Sequence, residues 1–277
     1  MHISVATANF YFLPFEESLE IIAEAGFQNI ELDLFWERKQ WSMAQHLRDI
    51  PVPQVIQSIH RSGLKVTSIH DGGGVLHTPH SSAGFINPRL DDYLDQLGYA
   101  PEYLVFHTPH VEGVQDAGWW ERISGEIVRA LDPYRTVVND LTLENMVTFD
   151  GYTVPLITPE ELRTFAVHNG FGVTVDTTHY AYMAMDLLEA ARVLQSCIRS
   201  VHLSDYSSGR IHVFVGEGEL DLAGFLSQVD SKVLNSVTLE CSLSTVDKSD
   251  RQMSHVELVN RMKLLKAMVE NLRIGEL

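Results

Sequence analysis

The sequence predicts an α/β fold, a single (β/α)8 barrel over residues 1–277. Short apolar runs alternate with amphipathic segments along the whole chain, and no linker or low-complexity stretch interrupts them. Eight of these runs read as strands. Six end in a metal-ligating residue type: Ser-Ile-His70-Asp71, Val-Phe-His107, Thr-Leu-Glu144-Asn145, Val-Asp176, Val-His202 and Thr-Leu-Glu240. In a barrel of this class the C-terminal strand ends share one face, so six such residues converge there.

In chain order, the strands are expected at 2–9, 29–35, 64–70, 103–107, 136–144, 171–176, 199–203 and 236–240. Phe15, Leu19 and Ile22 recur at helical spacing, as do Val52, Val55, Ile56 and Ile59. Gly26, Gly63 and Gly170 stand between such helices and the next strand, where a left-handed cap is required. An amphipathic helix over 255–271 closes the chain.

The net charge is −17, with 20 basic against 37 acidic residues and no Lys/Arg-rich run. This argues against a general nucleic-acid binder, which needs a basic surface, and leaves room only for a small basic groove. No apolar run is long enough for a membrane span. The chain begins directly with strand-like sequence and lacks a basic, apolar leader, so it reads as cytosolic. Cys197 and Cys241 cannot form a disulfide framework and read as buried thiols, with Cys241 next to Glu240. Gly72-Gly73-Gly74 lacks the Lys-Ser/Thr of a phosphate-cradling loop, and no Gly-x-Ser-x-Gly elbow is present.

Glu144, Asp176, His202 and Glu240 each end a buried strand, where a carboxylate must be paired or coordinated. Imidazole and carboxylate are the donors favoured by Zn²⁺, Mn²⁺ and Co²⁺. Glu31 and Asp33 are expected to be solvated, or to support the ligands from behind. His77, His80 and His110 read as loop residues ahead of ligands or substrate contacts. Trp119-Trp120 and the Phe35-Trp36…Trp41 cluster could wall a pocket, form a subunit interface or fill a loop core.

Leu143-Glu144-Asn145, Val175-Asp176-Thr177-Thr178-His179, His202-Leu203-Ser204-Asp205 and Gly216-Glu217-Gly218-Glu219-Leu220-Asp221 occur in an order that resembles the xylose-isomerase-like TIM barrel superfamily. The resemblance covers the whole chain. That superfamily includes sugar and sugar-phosphate isomerases and epimerases, and the endonuclease IV family of apurinic-site nucleases.

The epimerase branch implies one divalent ion held by Glu144, Asp176, His202 and Glu240. The two glutamates would act as the acid/base pair and His179 would touch substrate. The endonuclease IV branch implies three zinc ions, with His70, His107, His179 and His212 as further ligands. Here the chain departs from that pattern, because Arg210 stands where an aspartate is expected two residues before His212. With His179 and His212, Arg210 then reads as a substrate contact for an anionic group.

The resemblance thus implies an isomerase or epimerase with one to three Zn²⁺, Mn²⁺ or Co²⁺ ions, working through an enediolate on a small sugar, sugar phosphate or polyol ketone. The alternatives are a zinc phosphodiesterase acting on apurinic-site DNA or a smaller phosphoester, and a non-catalytic ligand-binding barrel. The partner expected is a small molecule, with no membrane; a homo-oligomer stays open.

Overall fold

The computed structural model describes residues 2–34, 47, 49–72, 75–76, 80–116, 118–148, 150–243 and 253–274. Eight strands form a closed barrel: β1 (His2–Ala6), β2 (Asn29–Asp33), β3 (Lys65–Asp71), β4 (Tyr103–His107), β5 (Asp140–Glu144), β6 (Gly172–Asp176), β7 (Ile198–Leu203) and β8 (Ser236–Leu239). Each pairs in parallel with the next, and β8 returns to β1 with His2 opposite Ser236. The predicted fold class is the observed one.

Helices α1 (Phe15–Glu24), α2 (Val52–Ser62), α3 (Leu90–Leu97), α4 (Trp119–Leu131), α5 (Pro159–Asn169), α6 (Thr177–Tyr182), α7 (Leu187–Leu194), α8 (Leu222–Gln228) and α9 (His255–Ile274) connect and cover the strands. No helix among the described residues is long and apolar enough to cross a membrane. Gly63 (φ 74°) and Gly170 (φ 67°) end α2 and α5 in the left-handed region, which lets the chain turn back into β3 and β6. Thr158 and Glu161 form a reciprocal capping box at the start of α5.

Outward-facing strand residues such as Ile30, Leu104, Phe106, Val173, Val201 and Val237 are buried against the helices and form the main core. Inward-facing residues are largely polar. Ser4 bonds Ser236 and Thr238, Thr174 bonds Thr142 and Ser200, and Ser68 donates to Glu31. Branched apolar residues usually fill this space. Here hydroxyls pair with one another and form a buried polar floor beneath the strand ends.

Two expected strands are shorter than the sequence reading by three or more residues. Residues 7–9 belong to a 3-10 turn (Thr7–Phe10), because the Asp33 carboxylate accepts from the Ala8 N–H and the Thr7 hydroxyl and holds the turn against the end of β2. Before β5, Asp132–Thr136 is also a 3-10 turn, with Pro133 near its start, and the strand begins only at Asp140. Two small sheets form in the loops after the barrel strands. Residues 110–112 pair with 75–76 and 152–153, and 205–207 pair with 210–213 in a hairpin. Trp119 and Trp120 belong to α4. Trp119 lies in the core, whereas Trp120 is partly buried, its ring centroid 4.9 Å from that of Phe165, and with Phe165 it lines a surface pocket. The Phe35–Trp41 cluster, Gly73, Gly74 and His77 lie outside the described residues. Cys197 and Cys241 are free, buried thiols.

Candidate active site

The C-terminal ends of β2 to β7, with the residue following β8, bring Glu31, Asp33, His70, His107, Glu144, Asp176, His202 and Glu240 together. His179 comes from α6 and His212 from the hairpin after β7. Potential ligand atoms fall into groups whose members lie within 4.8 Å of one another: His70–His107–Glu144, Glu144–Asp176–His202–Glu240 and Asp176–His179–His212. Glu144 is common to the first two of these groups and Asp176 to the last two, and a fourth group joins Glu31 to His70 and His202.

The contacts are close. His202 Nδ1 lies 2.7 Å from Glu240 Oε2 and 3.5 Å from Glu144 Oε2. Glu144 Oε2 is 3.0 Å from His70 Nε2 and 3.4 Å from His107 Nε2. His212 Nδ1 is 3.7 Å from Asp176 Oδ2. Nevertheless Glu144 Oε2, Asp176 Oδ2, Glu240 Oε2 and His202 Nδ1 are buried without a properly aligned hydrogen bond. Such atoms are costly in a protein interior unless an ion draws them together. Nitrogen and carboxylate oxygen donors converging off their mutual hydrogen-bond lines fit a divalent cation.

The flanking motif residues hold these side chains in place. Asp176 Oδ1 caps α6 by accepting from the Thr178 N–H, the Thr178 hydroxyl and the His179 N–H, which leaves Oδ2 facing the cluster. Asn145 clasps the end of β6, its side chain donating to the Asp176 carbonyl and accepting from the Asp176 N–H. The His179 Nδ1 sits 2.8 Å from the Asn145 carbonyl, which orients the ring and leaves Nε2 available. The Thr177 hydroxyl donates to the Ser204 carbonyl and so ties β6 to β7.

Electrostatics follow from this crowding. Burial alone would raise Glu144 and Glu240, but facing imidazoles outweigh it: Glu144 is held well below the usual carboxylate range, and Glu240 at about 2, chiefly by His202. Burial opposes charge on His70 and His202 too, yet the carboxylates around them raise both well above an ordinary histidine. His107, where desolvation dominates, is lowered.

Arg210 is exposed on the hairpin, opposite Ser207, and is not among the buried groups. His80 is exposed, and His110 is buried on its short strand beside the Tyr152 ring. Glu31 and Asp33, expected to be solvated or to support the ligands from behind, are buried beside histidines. Glu31 is fully buried 2.9 Å from His202 Nε2, and Asp33 lies 3.2 Å from His70 Nδ1. Their spacing was the available signal: residues two apart in a barrel strand share a face, and here it is the inner one.

No curated protein matches the sequence. Solved structures match across nearly the whole chain. A D-tagatose 3-epimerase-like protein shares 20% identity, with all of both chains covered and a TM-score of 0.65. D-psicose 3-epimerase from Clostridium cellulolyticum H10 shares 15% identity, covering 98% of this chain and 99% of its own, with a TM-score of 0.68. D-allulose 3-epimerase from Methylomonas sp. shares 14% identity, with 98% of each chain covered and a TM-score of 0.71. At these identities the likeness is one of fold. The sequence itself matches the family described as xylose isomerase-like TIM barrel over residues 19–256, and the chain belongs to that family.

Proposed function

We propose that the protein is a divalent-metal-dependent isomerase or epimerase acting on a small sugar, sugar phosphate or related polyol ketone. The observation that carries this reading is the Glu144–Asp176–His202–Glu240 group, in which carboxylates from β5 and from the end of β8 meet at one imidazole nitrogen. These four residues would hold the ion. When bound, it would supply Lewis-acid polarisation of a carbonyl and its adjacent hydroxyl, which lowers the cost of forming an enediolate.

Proton movement belongs to the two glutamates. Their depressed pKa values keep them ionised as bases. One takes the proton from the carbon beside the carbonyl and, now protonated, can deliver it to the neighbouring carbon in isomerisation. Epimerisation requires the other glutamate, protonated from solvent, to deliver a proton to the opposite face of the same carbon. His179, held by the Asn145 carbonyl, presents Nε2 for a substrate hydroxyl or a further ion. The ketose 3-epimerase names of the structural neighbours support a ketose as the first substrate class to test. Protein loaded with Mn²⁺ or Co²⁺ and incubated in ²H₂O with ketohexoses, ketopentoses and their phosphates should wash deuterium into the carbon beside the carbonyl as a new isomer appears. Absence of exchange across that panel rejects the reading.

The flanking histidine groups favour a second reading, a zinc phosphodiesterase resembling endonuclease IV, because they offer places for two further ions. Against it, Arg210 stands two residues before His212, where the endonuclease IV pattern has an aspartate, and a guanidinium cannot ligate a cation. Duplex DNA with an abasic site should therefore show no efficient incision with Zn²⁺ or Mn²⁺. Robust cleavage 5′ to the abasic site reverses the ranking.

A further inference from the structure

Glu31 and His202 stand on strands that do not touch. β2 pairs with β1 and β3, and β7 pairs with β6 and β8. Their side chains nevertheless meet inside the barrel, with Glu31 Oε1 2.9 Å from His202 Nε2. The other carboxylate oxygen is held by the Ser68 hydroxyl at 2.7 Å, so the group is anchored from β3 while facing β7. Both residues are fully buried, which makes the placement costly unless the two groups serve each other.

The two nitrogens of His202 have separate partners. Nδ1 faces Glu240 and Glu144, and Nε2 faces Glu31. An imidazole that binds an ion through one nitrogen carries its proton on the other, and a carboxylate behind that proton fixes the tautomer and makes the ring a stronger donor. His70 is farther from the same oxygen, at 3.8 Å, and closer to Asp33, at 3.2 Å, so each histidine has its own carboxylate. The Glu31–His202 contact is at hydrogen-bond distance without full alignment.

We propose that Glu31 is a positioning residue of the metal centre: its carboxylate accepts the Nε2–H of His202 and fixes the tautomer that presents Nδ1 to an ion shared with Glu144, Asp176 and Glu240. The proposal rests on the metal-dependent reading of the site. Co²⁺ titration of the metal-free protein, followed by calorimetry and by the visible d–d bands, separates the two. A wild-type protein that takes up no Co²⁺ overturns both.

If wild type binds, Glu31→Gln should keep its stoichiometry, bind about 10- to 100-fold more weakly and show shifted d–d bands. Unchanged affinity and spectrum, or loss of a whole equivalent of Co²⁺, overturns the role of Glu31 alone; the second outcome would make it a ligand. A measurement on wild type covers failure of the variant to fold. In ¹⁵N-histidine-labelled protein with Zn²⁺, the His202 ring should carry its proton on Nε2 and its ion on Nδ1, and ligation through Nε2 overturns the proposal.

Discussion

Asp205 and Gly218 are in such close contact that a side chain cannot be added at 218. The Asp205 Oδ2 accepts from the Gly218 N–H at 3.1 Å, and a Cβ at that position would lie 2.3 Å from Oδ1. The same carboxylate also accepts from the backbone N–H groups of Tyr206, Gly216 and Leu220. One buried aspartate therefore organises the Gly216–Leu220 turn and closes the loop that carries His212.

Asp205→Ala should leave these backbone donors without their acceptor and destabilise the protein by about 3 kcal/mol, with Gly218→Ala costing a comparable amount through the clash. Denaturant melts of both variants check this. An Asp205→Ala protein with a wild-type midpoint would refute it.

Glu240→Gln should lower turnover or metal occupancy by orders of magnitude while the fold persists. Its carboxylate is 2.7 Å from His202 Nδ1 and bears no structural hydrogen bond through Oε2. Elemental analysis and circular dichroism on the same sample test the two halves. Unchanged metal content together with unchanged activity contradicts the assignment.

Metal should stabilise the protein more as pH rises. His70 and His202 are raised well above the ordinary value by the surrounding carboxylates, so in the metal-free fold their protonation contributes stability that is complete below the unfolded value of about 6.5. That contribution is lost as pH climbs through their folded pKa values. An ion replaces those protons and binds better once they are gone. The gap in melting temperature between Mn²⁺-loaded and metal-free protein should widen from pH 6 to pH 9; a narrowing gap is the contrary result.

Arg210→Asp should improve binding of an additional zinc ion, since it restores a carboxylate two residues before His212, whose Nδ1 already lies 3.7 Å from Asp176 Oδ2. Arg210→Ala should raise KM for an anionic substrate with little change in metal content. Zinc titration and steady-state kinetics read the two effects. If Arg210→Asp leaves zinc binding as in wild type, the carboxylate argument for that position fails.

Much of this was legible in the chain alone, because barrel strands are short, local and regularly spaced. The run Tyr103–His107 is a strand at its predicted bounds, and Glu144, Asp176 and His202 stand at or next to the ends of theirs. Alternation and helix punctuation are local signals, and the fold class follows from their order. The pairing of Glu31 with His202 was not legible, since it joins β2 to β7 across the barrel and depends on closure and register. The turn of residues 7–10 was equally hidden: its sequence is strand-like, and it turns because Asp33, 25 residues away, accepts the Ala8 N–H. Local sequence determined where the strands end and so which of His70, His107, Glu144, Asp176 and His202 stand at or beside those ends. Only the closed barrel decided which of them face one another, because the free energy of a buried charge depends on partners that sequence separation does not reveal.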